Sequence, residues 1–317
     1  MELSLICVRQ IAVMFILVAL GFLCGRIKLI DKETNSKLSR FVLEVVNPVL
    51  IFMSYQQAFD TKLLLGLGLS VGLAFLSYGF TILLVDLLYR KDKTDEGAVE
   101  KFAAVYSNCG FMGIPLINGL FGAEGVFYLT GYVTVFNIMV WTHGVISFGG
   151  KGQKTSLKKV LSSPAIIATL LGLVTFLLRP VLGMILFPSF VTAAVNAVLS
   201  AADYVGGMNT PLAMLCAGVT ISGTVIGEHI RNAGIYRAAF LRLIACPVLF
   251  WLVFRWFPIP YTVFMVVLAA AGCPAAATGT MFAIRYKKCP EKAAVIFAVT
   301  TLLSAVTLPL MVMLGSV

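Results

Sequence analysis

The sequence predicts an all-α membrane protein of ten transmembrane helices, built as a 5+5 inverted repeat in which spans 4 and 9 are discontinuous and cross at the midplane. Three observations predict it. Apolar residues make up 60% of the 317 and charged residues only 12%, against roughly 45–50% and 25% in soluble domains, and mean hydropathy is +0.98. A soluble chain cannot hide that much apolar surface, because exposed apolar patches beyond a few hundred Å2 are rare. Ten apolar runs of the length a spanning helix needs, about 20 residues, alternate with short charged connections. Finally, two pairs of prolines recur at nearly the same separation in the two halves. Ten spans leave no room for a soluble catalytic domain.

The spans run over about 5–25, 41–57, 64–89, 102–121, 126–149, 160–178, 195–225, 236–256, 260–283 and 293–315. Glu2 precedes span 1 where a secretory signal would carry a cation, and Arg26 and Lys28 follow the span, so a retained first helix is expected rather than a cleaved leader. The cations then alternate. Arg26, Lys28, Lys32, Lys37 and Arg40 lie between spans 1 and 2; Arg90, Lys91, Lys93 and Lys101 between 3 and 4; Lys151, Lys154, Lys158 and Lys159 between 5 and 6. Arg231 lies between spans 7 and 8, with Arg237 and Arg242 in the first turns of span 8 counted on the same side, and Arg285, Lys287, Lys288 and Lys292 lie between 9 and 10. Of the 24 Lys and Arg residues only Arg9, Lys62, Arg179 and Arg255 fall on the other side. The positive-inside rule places the five rich connections in the cytoplasm and both termini outside, in a multi-pass protein of the cell membrane. The net charge of +10 is thus a topology signal and an attraction to lipid headgroups, not a nucleic-acid footprint.

Spans 2 and 7 share a motif: Asn47-Pro48 in one, Asn209-Thr210-Pro211 in the other, with Pro48 and Pro211 separated by 163 residues. Spans 4 and 9 share another. Gly113 and Pro115 stand in the fourth, Gly272, Cys273 and Pro274 in the ninth, and the two crossing prolines are 159 residues apart. This spacing divides the chain into a first five-helix repeat, residues 1–150, and a second, residues 159–317. Five is odd, so the second copy crosses the membrane upside down. Paired Gly/Pro interruptions in inverted halves point to the substrate site of a secondary transporter. A lone proline is often only a kink; the pairing argues for breaks.

Proline removes a donor, glycine tolerates the unwound backbone, and the half-helix that follows exposes unpaired amides at its positive end. Two such ends make an anion site without a cationic side chain. Phe102–Gly122 and Ile259–Ile284 contain no Asp, Glu, Lys or Arg. The polar groups towards the breaks are Tyr106, Ser107, Asn108, Asn118, Thr278 and Thr280. Asn108 is open to two readings, donor to a carboxylate or interhelical glue. Among intramembrane acids, which are functional candidates by default, Asp203 is the candidate for proton linkage and could equally be structural; Glu44, one turn from Arg40, reads first as a snorkelling pair. Gly21-x-x-x-Gly25 and Gly68-x-x-x-Gly72 read as helix-packing motifs, and the seven cysteines as small buried hydrophobes. His143 and His229 are the two histidines, and no His-Glu-x-x-His or phosphate-loop motif occurs. No metal, cofactor or enzymatic activity is expected.

The stretch Ser107-Asn-Cys-Gly-Phe-Met-Gly-Ile-Pro-Leu116 resembles the fourth-span signature of the auxin efflux carrier family. Asn47-Pro48-Val-Leu-Ile-Phe, Cys273-Pro274-Ala-Ala-Ala with Arg285-Tyr286, and the closing Thr300-Thr-Leu-Leu-Ser-Ala-Val-Thr-Leu-Pro309-Leu are similar to its other motifs. The resemblance covers the whole chain and is closer to bacterial members than to the plant PIN proteins, whose long cytoplasmic loop is absent. It implies a scaffold of spans 1, 2, 6 and 7, often dimeric, and an elevator-like transport part of spans 3–5 and 8–10. It implies small organic anions as substrates, malonate- or malate-like dicarboxylates among them. Asn108 matches the family's substrate-contacting Asn, and Pro115 and Pro274 its crossing prolines. With Gly113, Gly272, Cys273, Thr278, Asn47 and Asn209 these are the expected binding residues. The alternative from another class is a membrane-embedded sensor that keeps the transporter fold.

Overall fold

The computed structural model describes residues 2–149, 161–182, 188–225 and 231–316. The junction between the two expected repeats, with Lys151, Lys154, Lys158 and Lys159, lies outside the described residues, as does His229. The described residues form helices and no strands, the one extended pair being Ser107 and Ala275. Helix α1 (Glu2–Arg26) is apolar almost throughout and ends on a cation that suits its negative pole. Helix α2 (Lys32–Phe41) is amphipathic and capped by the Asp31 carboxylate, which accepts from the Thr34 amide. It continues through a π-helical turn, Val42–Val46, into α3 (Asn47–Ser54), where Pro48 occupies a first-turn position that needs no donor. Asp60 caps α4 (Thr61–Leu88) and Thr94 caps α5 (Asp95–Val105).

A second π-helical turn, Cys109–Gly113, leads into α6 (Ile114–Met139), and a third, Val140–Gly144, into the short α7 (Val145–Gly149). Then follow α8 (Pro164–Leu182), α9 (Ser189–Gly207), α10 (Asn209–Ser222) and α11 (Ala233–Phe240). Helix α12 (Cys246–Phe254) continues α11 through the π turn Leu241–Ala245, and α13 (Tyr261–Gly272), α14 (Thr278–Arg285) and α15 (Pro290–Gly315) complete the chain.

Among the described residues seven helical stretches are long and apolar enough to cross a membrane: Leu5–Arg26, Thr61–Leu88, Cys109–Phe148, Pro164–Val181, Ser189–Ser222, Ala233–Phe254 and Pro290–Gly315. The sequence predicts ten, and the difference has local causes. Cys109–Phe148 is 40 residues long, about twice a bilayer's need, and Gly122 breaks it with φ +59°, a region open to glycine because it has no Cβ. The segment over residues 32–54 opens with the polar Lys-Glu-Thr-Asn-Ser-Lys, and Tyr261–Gly272 is only 12 residues long. Exposed Leu65, Leu83, Leu87, Leu171 and Val198 line the outer helix faces, the surface a multi-pass membrane protein presents to lipid tails.

Helix α1 lies along α10 at backbone contact. A Cβ on Gly21 would overlap the Leu215 carbonyl, one on Gly25 the Ser222 hydroxyl, and one on Gly218 the Val18 carbonyl, so the first glycine pair packs as its spacing predicts. The second pair does not: Gly68 and Gly72 meet nothing among the described residues. Helix α3 packs on α8 and α9, with Gly172 against the Tyr55 ring and the Gln56 amide donating to Thr175 Oγ1 at 2.9 Å. Five of the cysteines are buried and none is disulfide-bonded.

One polar cluster lies apart from all this apolar packing. Glu100, buried, accepts from Lys292 Nζ at 2.6 Å, from Arg237 at 2.6 Å and from the Tyr89 hydroxyl at 3.0 Å. Arg237 also reaches Asp92, and Lys292 reaches Glu96. Gly234 makes room, since a Cβ there would collide with the Glu100 carboxylate. The cluster ties the end of α4 to α5, α11 and α15. Its outer carboxyls titrate low: the ammonium of Lys292 holds Glu96 below the usual carboxylate range, and hydrogen bonds from Thr94 do the same for Asp92.

Candidate functional site

Two helix breaks meet at the centre of the described structure. Helix α5 ends at Val105, and Tyr106 leaves it with extended backbone (φ −99°, ψ 117°). Helix α13 ends at Gly272, and Cys273 leaves it extended (φ −60°, ψ 149°). The freed backbones then satisfy each other. The Asn108 amide donates to the Pro274 carbonyl at 2.7 Å, and the Ala276 amide to the Tyr106 carbonyl at 2.9 Å. The Ala275 amide donates to Thr300 Oγ1 at 3.1 Å, and that hydroxyl donates to the Ile296 carbonyl at 2.7 Å. Irregular backbone at this depth is tolerated only with such partners.

What remains unpaired is side-chain polarity. Asn108 Nδ2 and Thr278 Oγ1 are buried atoms without a hydrogen-bond partner among the described residues, and Asn108 is 5% exposed. An unmade bond on a buried donor costs about 1–3 kcal/mol. The stretch Cys109–Gly113 and helix α14 both start here. Their dipoles are positive at this end, and in α14 the Gly279 and Thr280 amides already donate to the Ala276 and Ala277 carbonyls.

The prolines behave differently from expectation. The first break falls at Tyr106–Asn108, not at Gly113–Pro115. The donor missing at Pro115 is absorbed by the preceding π turn, while the chain unwinds where Pro274 and Ala276 offer it partners. Pro115, buried at the start of α6, instead accepts from Gln10 Nε2 at 3.3 Å. Pro274 does lie inside its break, so the two prolines are not structural counterparts; Ser107 pairs with Ala275. A Cβ on Gly113 would stand 3.5 Å from the Cys273 sulfur, which places these two together, with Cys273 fully buried as packing. Gly272 sits at the end of α13 with only ordinary van der Waals neighbours.

Asn47 and Asn209 join the same neighbourhood. Asn47 Nδ2 donates to the Gly110 carbonyl at 3.3 Å and Asn47 Oδ1 accepts from Asn209 Nδ2. The two asparagines that the sequence pairs across its halves therefore touch each other and the first turn after the break. Thr278 opens α14 just beyond the second break. The acids stand elsewhere: Asp203 is exposed on α9, and Glu44 accepts from Arg40 Nε at 2.9 Å. Neither belongs to this hydrogen-bonded set.

Arg242 corrects the expectation of a charge-free crossing. The sequence counts it as a connection cation, yet it is 1% exposed in the π turn before α12. Its Nη1 donates to Val105 O at 2.7 Å and Ala104 O at 3.2 Å, and its Nη2 to Ala271 O. Those carbonyls end α5 and α13. The readable signal was a single arginine inside a long apolar run, a pattern that marks function by default. Among the described residues no group of three or more His, Cys, Asp or Glu could hold a metal.

A sequence profile of the family described as "Membrane transport protein" matches residues 6–158 and 153–312. A protein of Methanothermobacter thermautotrophicus described as an "Uncharacterized transporter" is 27% identical over 306 residues, covering 93% of this chain and 94% of its own. An uncharacterized transporter of Methanocaldococcus jannaschii is 25% identical over 221 residues, 67% of this chain and 68% of its own.

Proposed function

The chain belongs to the membrane transport protein family, the auxin efflux carrier family its motifs resemble, and from that premise we propose that it is a secondary transporter of small organic carboxylates, working by alternating access around the paired breaks. The family consists of transporters, not enzymes. The observation that carries the anion reading is the set of unpaired buried donors at the start of two helices, Asn108 Nδ2 foremost. A carboxylate there would receive neutral donors and two positive dipole ends, the chemistry of anion sites at helix N-termini. The donors are buried, so the substrate reaches them only after a movement that opens the site to one side.

On this reading ten helices span the membrane. The 40-residue stretch counts as two, hinged at Gly122, and the interrupted pairs α2–α3 and α13–α14 count as one each. Residues 1–150 and 159–317 form inverted repeats. The Asn47–Asn209 contact, and the reciprocal packing of α1 on α10 and α8 on α3, support it. Spans 1, 2, 6 and 7 are the scaffold and the dimer surface, and spans 3–5 and 8–10 the moving part, with both termini outside the cell membrane. Gly113, Gly272, Cys273, Pro115 and Pro274 shape the site, while Asn47 and Asn209 border it from the scaffold.

Uptake of radiolabelled malonate and a panel of mono- and dicarboxylates into proteoliposomes tests the function. Saturable carboxylate uptake is expected. Preference for a cation, or specific binding with no flux, overturns it.

A further inference from the structure

The positive pole of the paired breaks faces a negative one. Helices α5 and α13 both end beside Arg242, and each helix end carries about half a negative charge on its unpaired carbonyls. Three of those carbonyls, Ala104, Val105 and Ala271, accept from one guanidinium. In transporters with interrupted helices, half-helix C-terminal ends and unwound carbonyls are where a coupling sodium ion or proton binds. Here a side chain already fills that place.

We propose that Arg242 is a resident cation in the position of a coupling ion, so that transport by this chain needs no sodium there. Its single charge offsets the two helix ends. A guanidinium is charged throughout the physiological range, so it hands no proton over. It is tethered to the chain and shut from solvent, so the place is neither emptied nor refilled during a cycle. The carbonyl pole is neutral at all times, and the amide pole, with Asn108 and Thr278, stays free for the anion. Only the word coupling rests on the transport reading; the assignment of the cation place does not.

Two kinds of measurement decide it. Thermal melting of the purified protein in detergent, without substrate, is compared in NaCl and in choline chloride of equal concentration. The wild type is expected to melt at the same temperature in both; a saturable stabilisation by sodium overturns the proposal. Arg242→Lys keeps the charge and is expected to melt within a few degrees of wild type. Arg242→Met keeps length without charge and is expected to melt roughly 5–10 °C lower, or to fail to fold. A Met variant as stable as wild type overturns the proposal. So does failure of the Lys variant alongside Met, since the position would then need shape and not charge. Malonate uptake by wild-type proteoliposomes is expected at equal initial rates in sodium and choline media, and accumulation driven by a sodium gradient overturns the proposal. Absence of any carboxylate flux would instead defeat the transport reading, and the melts would still decide Arg242.

Discussion

Asn108 divides its hydrogen bonding between two tasks. Its backbone amide holds Pro274, while its side-chain amide is left over. A hydrogen bond to a charged group contributes roughly 1.5–3 kcal/mol, so Asn108→Ala should raise the substrate dissociation constant about 10- to 100-fold with little change in melting temperature. Asn108→Asp should bind more weakly still, because it sets a negative charge against the anion. Asn118→Ala, an exposed position, is the control and should stay within about twofold; isothermal titration of the three variants with malonate checks the order. Pro115→Ala should leave the break in place, since Pro274 and Ala276 hold it, and its affinity should stay near wild type. Asn108 stood out in the sequence as an amide in an uncharged apolar run ahead of a proline. The break was misplaced because proline is visible in a sequence, whereas a backbone partner some 170 residues away along the chain is not. Arg242 was counted with the cations that set topology, although it stands inside the eighth apolar run.

At the scale of the element, the charged knot around Glu100 was the least legible feature. Its members, Asp92, Glu96, Glu100, Arg237 and Lys292, are ordinary connection residues in sequence, and only the folding of α5, α11 and α15 onto one another brings them together. Removing one partner of a buried pair costs about 3–5 kcal/mol, so Glu100→Gln should lower the melting temperature clearly, while Glu33→Gln in the exposed pair with Lys37 should leave it unchanged. The outer carboxyls add an acid limit. Glu96 and Asp92 titrate below their unfolded values, so their contribution is full above about pH 4.5 and is lost as pH falls through the lower, folded-state values. Melting temperature should be flat from pH 7 to 5 and drop below about pH 4. By contrast the α1–α10 contact was readable from Gly21-x-x-x-Gly25 alone. Gly218→Val would force its side chain into the backbone of α1 and should separate the two helices, seen as loss of a folded peak in size-exclusion chromatography.

At the scale of the molecule, composition pointed to a membrane protein, because a soluble domain carries about twice the share of charged residues, and the length of the apolar runs pointed to helices. The described residues hold seven stretches long and apolar enough to cross a membrane, against the ten that the sequence predicts. Charge placement is independent of helix length, which gives the decisive measurement. Cysteine labelling should find both termini outside and Lys91, Lys93 and Lys287 inside; a cytoplasmic C-terminus with an external N-terminus would make the span count odd and remove the inverted relation of the halves.

The backbone exchange between Tyr106–Asn108 and Pro274–Ala276 has one more consequence. Coil normally trades its amide protons with solvent quickly, and helices slowly. Here the amides of Asn108 and Ala276 belong to no helix yet are stitched across the two halves of the chain. In deuterated buffer they should keep their protons as long as the middle of α13 does, and lose them together, since neither bond survives if the two segments part. A pair of slow, synchronous protons in nominally irregular chain would mark the breaks as a seam that travels as one body.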